Sequence, residues 1–154
     1  MTNEEAEATG LWVDIGNRLD MYAARRVKKE TNDCSVRSFS VVWDVPYDKA
    51  HEHIKKFGGR KHRGGLANSM FETADKWCPK TLMKKGPYTE QNRITIKKFC
   101  ELHPVGRYWL GVAGHCLAVI DGVVHDHRYG PRRFVTCAWR VYGPKEEFSE
   151  TRTL

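Results

Sequence analysis

The hydrophobic residues of this chain are spaced three and four positions apart up to about residue 104, and about two apart after it. The first spacing predicts helices over 11–31, 34–43, 47–57, 66–77 and 89–102. The second, rich in aromatic and β-branched residues, predicts strands over 107–113, 115–120, 123–127 and 134–142. This order predicts an α+β protein, with N-terminal helices packed on a C-terminal antiparallel sheet.

The helix predicted over residues 34–43 has the clearest boundaries. Asn32 and Asp33 supply N-cap chemistry directly before Cys34, and an apolar stripe runs from there to Trp43. Cys34 is therefore expected in the first helical turn, where the helix dipole and free backbone N–H groups favour a thiolate and can receive an oxyanion. By itself, a cysteine before an apolar stripe is also compatible with a small core residue.

A hairpin is predicted at Asp121-Gly122, which lies between two apolar runs. A two-residue turn there places His115 and Asp126 on one face of the paired strands, as diagonal neighbours. A carboxylate in that position can hold an imidazole in one tautomer and stabilise its cation. Cysteine, histidine and aspartate in this order and context are typical of papain-type chemistry.

The two histidines that flank Asp126 are expected to face away from it. Strand alternation puts His125 and His127 on the opposite face, so the His-Asp-His segment is not expected to gather around one ion. Neither a metal nor a cofactor is predicted.

Length and composition indicate one folded unit. The 154 residues, 40% of them hydrophobic and 29% charged, predict a single domain over 11–145 between flexible tails at 1–10 and 146–154. The chain carries five cysteines, an odd number, with no CxxC pair, which argues against a disulfide framework and a zinc ribbon. Four of the five are expected to be structural: Cys78, Cys100, Cys116 and Cys137.

The apolar segments and the net charge of the chain restrict its expected location and partners. No apolar run approaches the roughly 20 residues of a membrane span, and the acidic N-terminus has no signal-like apolar region. A cytoplasmic protein without a membrane partner is therefore expected. The net charge of +7 permits an acidic partner such as a nucleic acid but does not require one. A basic binding surface is a candidate at Arg60, Lys61, Arg132 and Arg133.

Four segments carry a resemblance to a known family: Asn32–Arg37, Pro46–His51, Gly59–Lys61 and Gly114–Asp126. They resemble small phage-encoded papain-like cysteine peptidases of the bacteriocin-processing-like type, over roughly residues 30–142. The resemblance implies a papain-like fold, a thiol protease acting on a peptide or protein substrate, and the host cytoplasm as its location.

The resemblance also implies a triad, in which Cys34 is the nucleophile, His115 the base and Asp126 the orienting residue. Papain-like enzymes usually carry an oxyanion-hole glutamine about six residues before the cysteine, and Lys28 stands there instead. The Asn32 amide or the backbone N–H of Cys34 is the expected substitute.

Two functions remain open from the sequence. One is a cysteine-type hydrolase: a peptidase, isopeptidase or amidase. The alternative is a catalytically weak or inactive phage protein of the same fold that binds a host protein or nucleic acid.

Overall fold

The structure of the protein is a computed structural model, and residues 2–143 are described by it. The tail expected at 146–154 lies outside the described residues. Within them, the α-helices span Asn3–Ala8 (α1), Leu19–Lys28 (α2), Cys34–Trp43 (α3), Tyr47–Gly58 (α4), Asn68–Phe71 (α5) and Ile96–Leu102 (α6). The strands span Trp12–Asp14 (β1), Thr81–Lys85 (β2), Arg107–Val112 (β3), His115–Ile120 (β4), Val123–Asp126 (β5) and Val135–Tyr142 (β6).

The α+β class predicted from the hydrophobic pattern is confirmed, but the sheet is mixed. Its strand order is β1-β5-β4-β3-β6-β2, and β1 runs parallel to β5 while the other pairs are antiparallel. The prediction of a purely antiparallel, C-terminal sheet is therefore wrong. It missed β1 because three residues are too short to show alternation, and β2 because only two of its five residues are apolar and its last two are lysines.

Helices cover both faces of this sheet. On one face, α3 and α4 pack their apolar residues against Trp109, Ala118 and Trp139. On the other face, α1 and α6 pack against alternate residues of the same strands, including Leu117 and Val119. No helix within residues 2–143 is long and apolar enough to cross a membrane.

The N-terminal segment is not the flexible tail that its polar sequence predicts. Residues 3–8 form α1, whose Ala6 is fully buried against the sheet. Thr2 caps this helix by accepting a hydrogen bond from the Glu5 backbone N–H at 3.1 Å. A single small apolar residue in an acidic segment is too weak a signal for sequence reasoning to find.

Helix α3 begins and ends at the predicted residues, although its cap differs from the prediction. The Asp33 side chain makes no cap hydrogen bond. Its carboxylate is completely buried and accepts hydrogen bonds from Arg25 Nε at 2.7 Å and from the Tyr47 hydroxyl at 2.8 Å. The residue before the helix thus ties α3 to α2 and α4.

The predicted hairpin between β4 and β5 is present with the expected register. Asp121 and Gly122 both have positive φ, 51° and 75°, as a type I′ turn requires. Val119 pairs with Val124, so the last residue of β5 lies beside the first residues of β4.

Candidate functional site

Three chain segments meet at one end of the sheet and bring three reactive side chains together. Cys34 is the first residue of α3, His115 the first of β4, and Asp126 the last of β5. Gly114, at φ +69°, makes the tight turn that ends β3 and starts β4 at His115. A cavity of about 400 Å³ opens beside Cys34 and His115, and its rim includes Gly65, Gly111 and Gly114.

His115 and Asp126 are joined by a direct hydrogen bond. His115 Nε2 lies 2.7 Å from Oδ2 of Asp126, and Asp126 is only 6% exposed. An ionised carboxylate only accepts hydrogen bonds, so Nε2 carries the proton and Nδ1 is the ring nitrogen that remains for Cys34. The two side chains lean together across the diagonal offset that the hairpin register imposes.

The electrostatics of the pair favour a thiolate and an imidazolium. A hydrogen bond from the Cys116 thiol holds the pKa of Cys34 well below that of a free thiol. Burial opposes this shift, and His115 and the Cys116 backbone N–H add to it. Burial disfavours the charged form of His115, but its hydrogen bonds to Asp126 and Cys34 outweigh burial and raise its pKa to about 9. Opposite charges are therefore stable on the two groups at neutral pH.

Cys116 was expected to be a structural cysteine, yet its thiol lies against the thiol of Cys34. The signal for this contact was present in the sequence. Strand alternation puts Cys116 and the buried Ala118 on the same face of β4, and that face packs on α3. Cys137 on β6 also lines the cavity, but burial raises its pKa to about 11.

His127 contradicts the prediction that it faces away from Asp126. Its Nδ1 lies 3.0 Å and its backbone N 2.8 Å from Oδ1 of Asp126. Because β5 ends at Asp126, strand alternation no longer governs the next residue, and the ring turns back toward His115 at a centroid distance of 5.3 Å.

His125, inside the strand, has its pKa lowered to about 4 by burial and by the charges of Arg107 and Arg18.

The three side chains that meet here are also residue types that can ligate a metal ion, contrary to the expectation that they would not gather. His115, Asp126 and His127 offer three potential donor atoms within 4.8 Å of one another. These atoms already pair with one another, His115 Nε2 with Oδ2 of Asp126 at 2.7 Å and His127 Nδ1 with Oδ1 at 3.0 Å.

Donors for an oxyanion are available beside Cys34. Its backbone N–H belongs to the first helical turn, whose N–H groups have no partner within the helix. Asn32 lines a second cavity of about 320 Å³ with Cys34, and one of its amide protons already goes to the Arg63 carbonyl at 3.2 Å. Lys28, in the position where papain-like enzymes have glutamine, instead lies 3.6 Å from Asp48.

The candidate basic surface is corrected at Arg60, which is 5% exposed. Its guanidinium donates to both carboxylate oxygens of Glu30, at 2.9 and 3.0 Å, because a buried carboxylate requires a charged partner. Lys61 and Arg132 are exposed, and Arg133 donates to the carbonyl of Ala113 at the cleft rim. The four cations therefore do not form one exposed face.

Comparison of the chain with protein-family models, with curated proteins and with solved structures finds no significant match.

Proposed function

We propose that the protein is a cysteine-type hydrolase of papain-like fold that cleaves an amide bond, as a peptidase does. The observation that carries the proposal is the hydrogen-bonded chain from Asp126 through His115 toward Cys34, which opens into a cleft. A buried structural histidine would need neither an adjacent thiol with a lowered pKa nor an open cavity.

The chemistry begins with the Cys34 thiolate, which attacks the acyl carbon and forms a carbon–sulfur bond. The carbonyl oxygen takes the electron pair of its double bond and is stabilised by the first-turn N–H groups. When the carbonyl re-forms, the carbon–nitrogen bond breaks and the leaving amine takes the proton of the His115 imidazolium. Water then gives a proton to His115, attacks the thioester and releases the Cys34 thiolate.

The proposed papain-like fold has the same support. A helix that begins with the nucleophile packs on a sheet whose strands carry the base and the orienting carboxylate. In this arrangement rigid elements rather than loops hold the reacting groups. The triad alone does not distinguish a peptide bond from an isopeptide or another amide.

The test combines covalent labelling with a substrate screen. A peptidyl acyloxymethyl ketone is expected to label Cys34 alone, and a fluorogenic peptide library is expected to contain substrates that the wild type cleaves. Cys34→Ala should lose both the labelling and the cleavage without losing the fold. Cys137→Ala is the matched control, because Cys137 lines the same cavity with a raised pKa, and it should behave as the wild type.

Even labelling of all five cysteines would contradict the proposal. Salt-sensitive retention on nucleic acid that Cys34→Ala leaves unchanged, without cleavage of any peptide, would instead support the alternative of a binding protein.

A further inference from the structure

Asp126 has two imidazole partners, and the proposed catalytic chain uses only one of them. Oδ2 accepts a hydrogen bond from His115, while Oδ1 accepts two from His127, one from the ring and one from the backbone. The Asp126 backbone is held as well, because its carbonyl accepts a hydrogen bond from Trp12 Nε1 at 3.1 Å.

The proton positions of both rings follow from the carboxylate between them. Since an ionised carboxylate only accepts hydrogen bonds, the ring proton of His115 that faces Asp126 lies on Nε2, and His127 carries a proton on Nδ1. The His127 ring is 40% exposed and lines the 320 Å³ cavity together with Cys34 and His115. A histidine that served only the core would not lie at the mouth of the cleft.

We propose that His127 is a positioning residue of this site, whose Nδ1–H fixes the Asp126 carboxylate so that Oδ2 stays aligned with the Nε2–H of His115. Without the ring, Oδ1 keeps only the backbone N–H, and the carboxylate gains freedom to rotate. The inference rests on the proposed function, because the alignment has a use only if His115 serves Cys34.

The test measures the alkylation of Cys34 by iodoacetamide from pH 3 to pH 10, followed by mass spectrometry, and needs no substrate. In His127→Ala the imidazolium of His115 loses part of its support, so the thiolate of Cys34 forms at higher pH and the acid limb of the profile should move up by about half a unit to one unit. On that limb the variant is expected to react about three- to tenfold more slowly than the wild type, the range that one hydrogen bond is worth.

His127→Asn is the conservative variant, since its amide N–H can take the place of Nδ1–H. It should restore the rate to within about twofold of the wild type. His62→Ala, in an exposed loop, is the control for removing a histidine and should leave the profile unchanged. An unchanged profile in His127→Ala, or an asparagine variant as slow as the alanine one, would overturn the inference.

Nitrogen-15 NMR of the wild-type imidazoles covers the case in which a variant fails to fold. The expected spectrum shows His127 protonated on Nδ1 and coupled across a hydrogen bond to a carboxylate, and a proton on Nε2 alone would overturn the inference. The proposed function fails separately, if wild-type Cys34 reacts no faster than a free thiol.

Discussion

Two buried carboxylates in this protein each bind a histidine, and their surroundings differ in one respect. Glu30 receives His51 Nε2 and also a bidentate pair of hydrogen bonds from Arg60. Asp126 receives His115 and His127, and no arginine within residues 2–143 bonds to it. The Glu30 cluster is buried around its ion pair and is called the closed cluster. The Asp126 cluster borders the cleft beside Cys34 and is called the open cluster.

The difference shows how a charged partner decides what a carboxylate–histidine pair can do. Burial would raise the pKa of Glu30, but hydrogen bonds from Arg60, His51 and the Arg63 backbone lower it to about 2. The permanent charge of Arg60 thus satisfies Glu30, and His51 is an additional donor. At Asp126 the balancing charge must come from an imidazolium, whose proton can be transferred in a reaction.

The largest effect is expected when the open cluster loses its charge in Asp126→Asn. The fixed backbone N–H of His127 requires an oxygen at the Oδ1 position, so the amide NH₂ must face His115 and impose the wrong tautomer on it. Peptide hydrolysis should fall by about 10²- to 10⁴-fold, and the free energy of unfolding by less than about 2 kcal/mol. Kinetics together with urea unfolding separate the two effects. Equal loss of rate and of stability would contradict the comparison.

The closed cluster should respond in the opposite way. Glu30→Gln leaves the buried guanidinium of Arg60 without a charged partner, and the free energy of unfolding is expected to drop by about 3–5 kcal/mol. The matched control is Glu52→Gln, an exposed acid on α4, which should change stability by less than about 0.5 kcal/mol. Urea titrations of the three proteins check this. A Glu30→Gln protein as stable as its control would show that the pair is dispensable.

The two clusters should also lose stability at opposite ends of the pH scale. The pKa of Glu30 is lowered from 4.5 to about 2, so its contribution is complete above pH 4.5 and is lost as the pH falls toward 2. The pKa of His115 is raised from 6.5 to about 9, so its contribution is complete below pH 6.5 and is lost as the pH rises through 9.

Unfolding free energies measured across the pH range test this assignment. Glu30→Gln should flatten the acid limb, and His115→Gln should flatten the alkaline limb. A steeper alkaline limb in His115→Gln would reverse the sign assigned to the histidine.

The smallest effect is expected for His51→Gln. Glu30 keeps both hydrogen bonds from Arg60 and one from the Arg63 backbone N–H, so the loss should be about 1 kcal/mol. Thermal unfolding measures it, and labelling of Cys34 should be unchanged. A loss as large as that of Glu30→Gln would mean that His51, rather than Arg60, balances the buried carboxylate.

Local chemistry was enough to predict the parts of the site that lie close together in sequence. The bounds of α3 follow from residues within one or two turns, and the Asp121-Gly122 turn sets the register of β4 and β5. That register places His115 and Asp126 on one face, because side chains alternate strictly along paired strands.

Only the tertiary structure decided what depends on distant partners. Arg60 lies in a basic run, which predicts a surface residue. It is buried because it pairs with Glu30, which lies thirty positions earlier in the chain. His127 does not follow the side-chain alternation of β5, because β5 ends one residue before it, where β1 pairs with β5. Buried charges and strand ends are set by long-range pairing, and periodicity along the chain does not encode either of them.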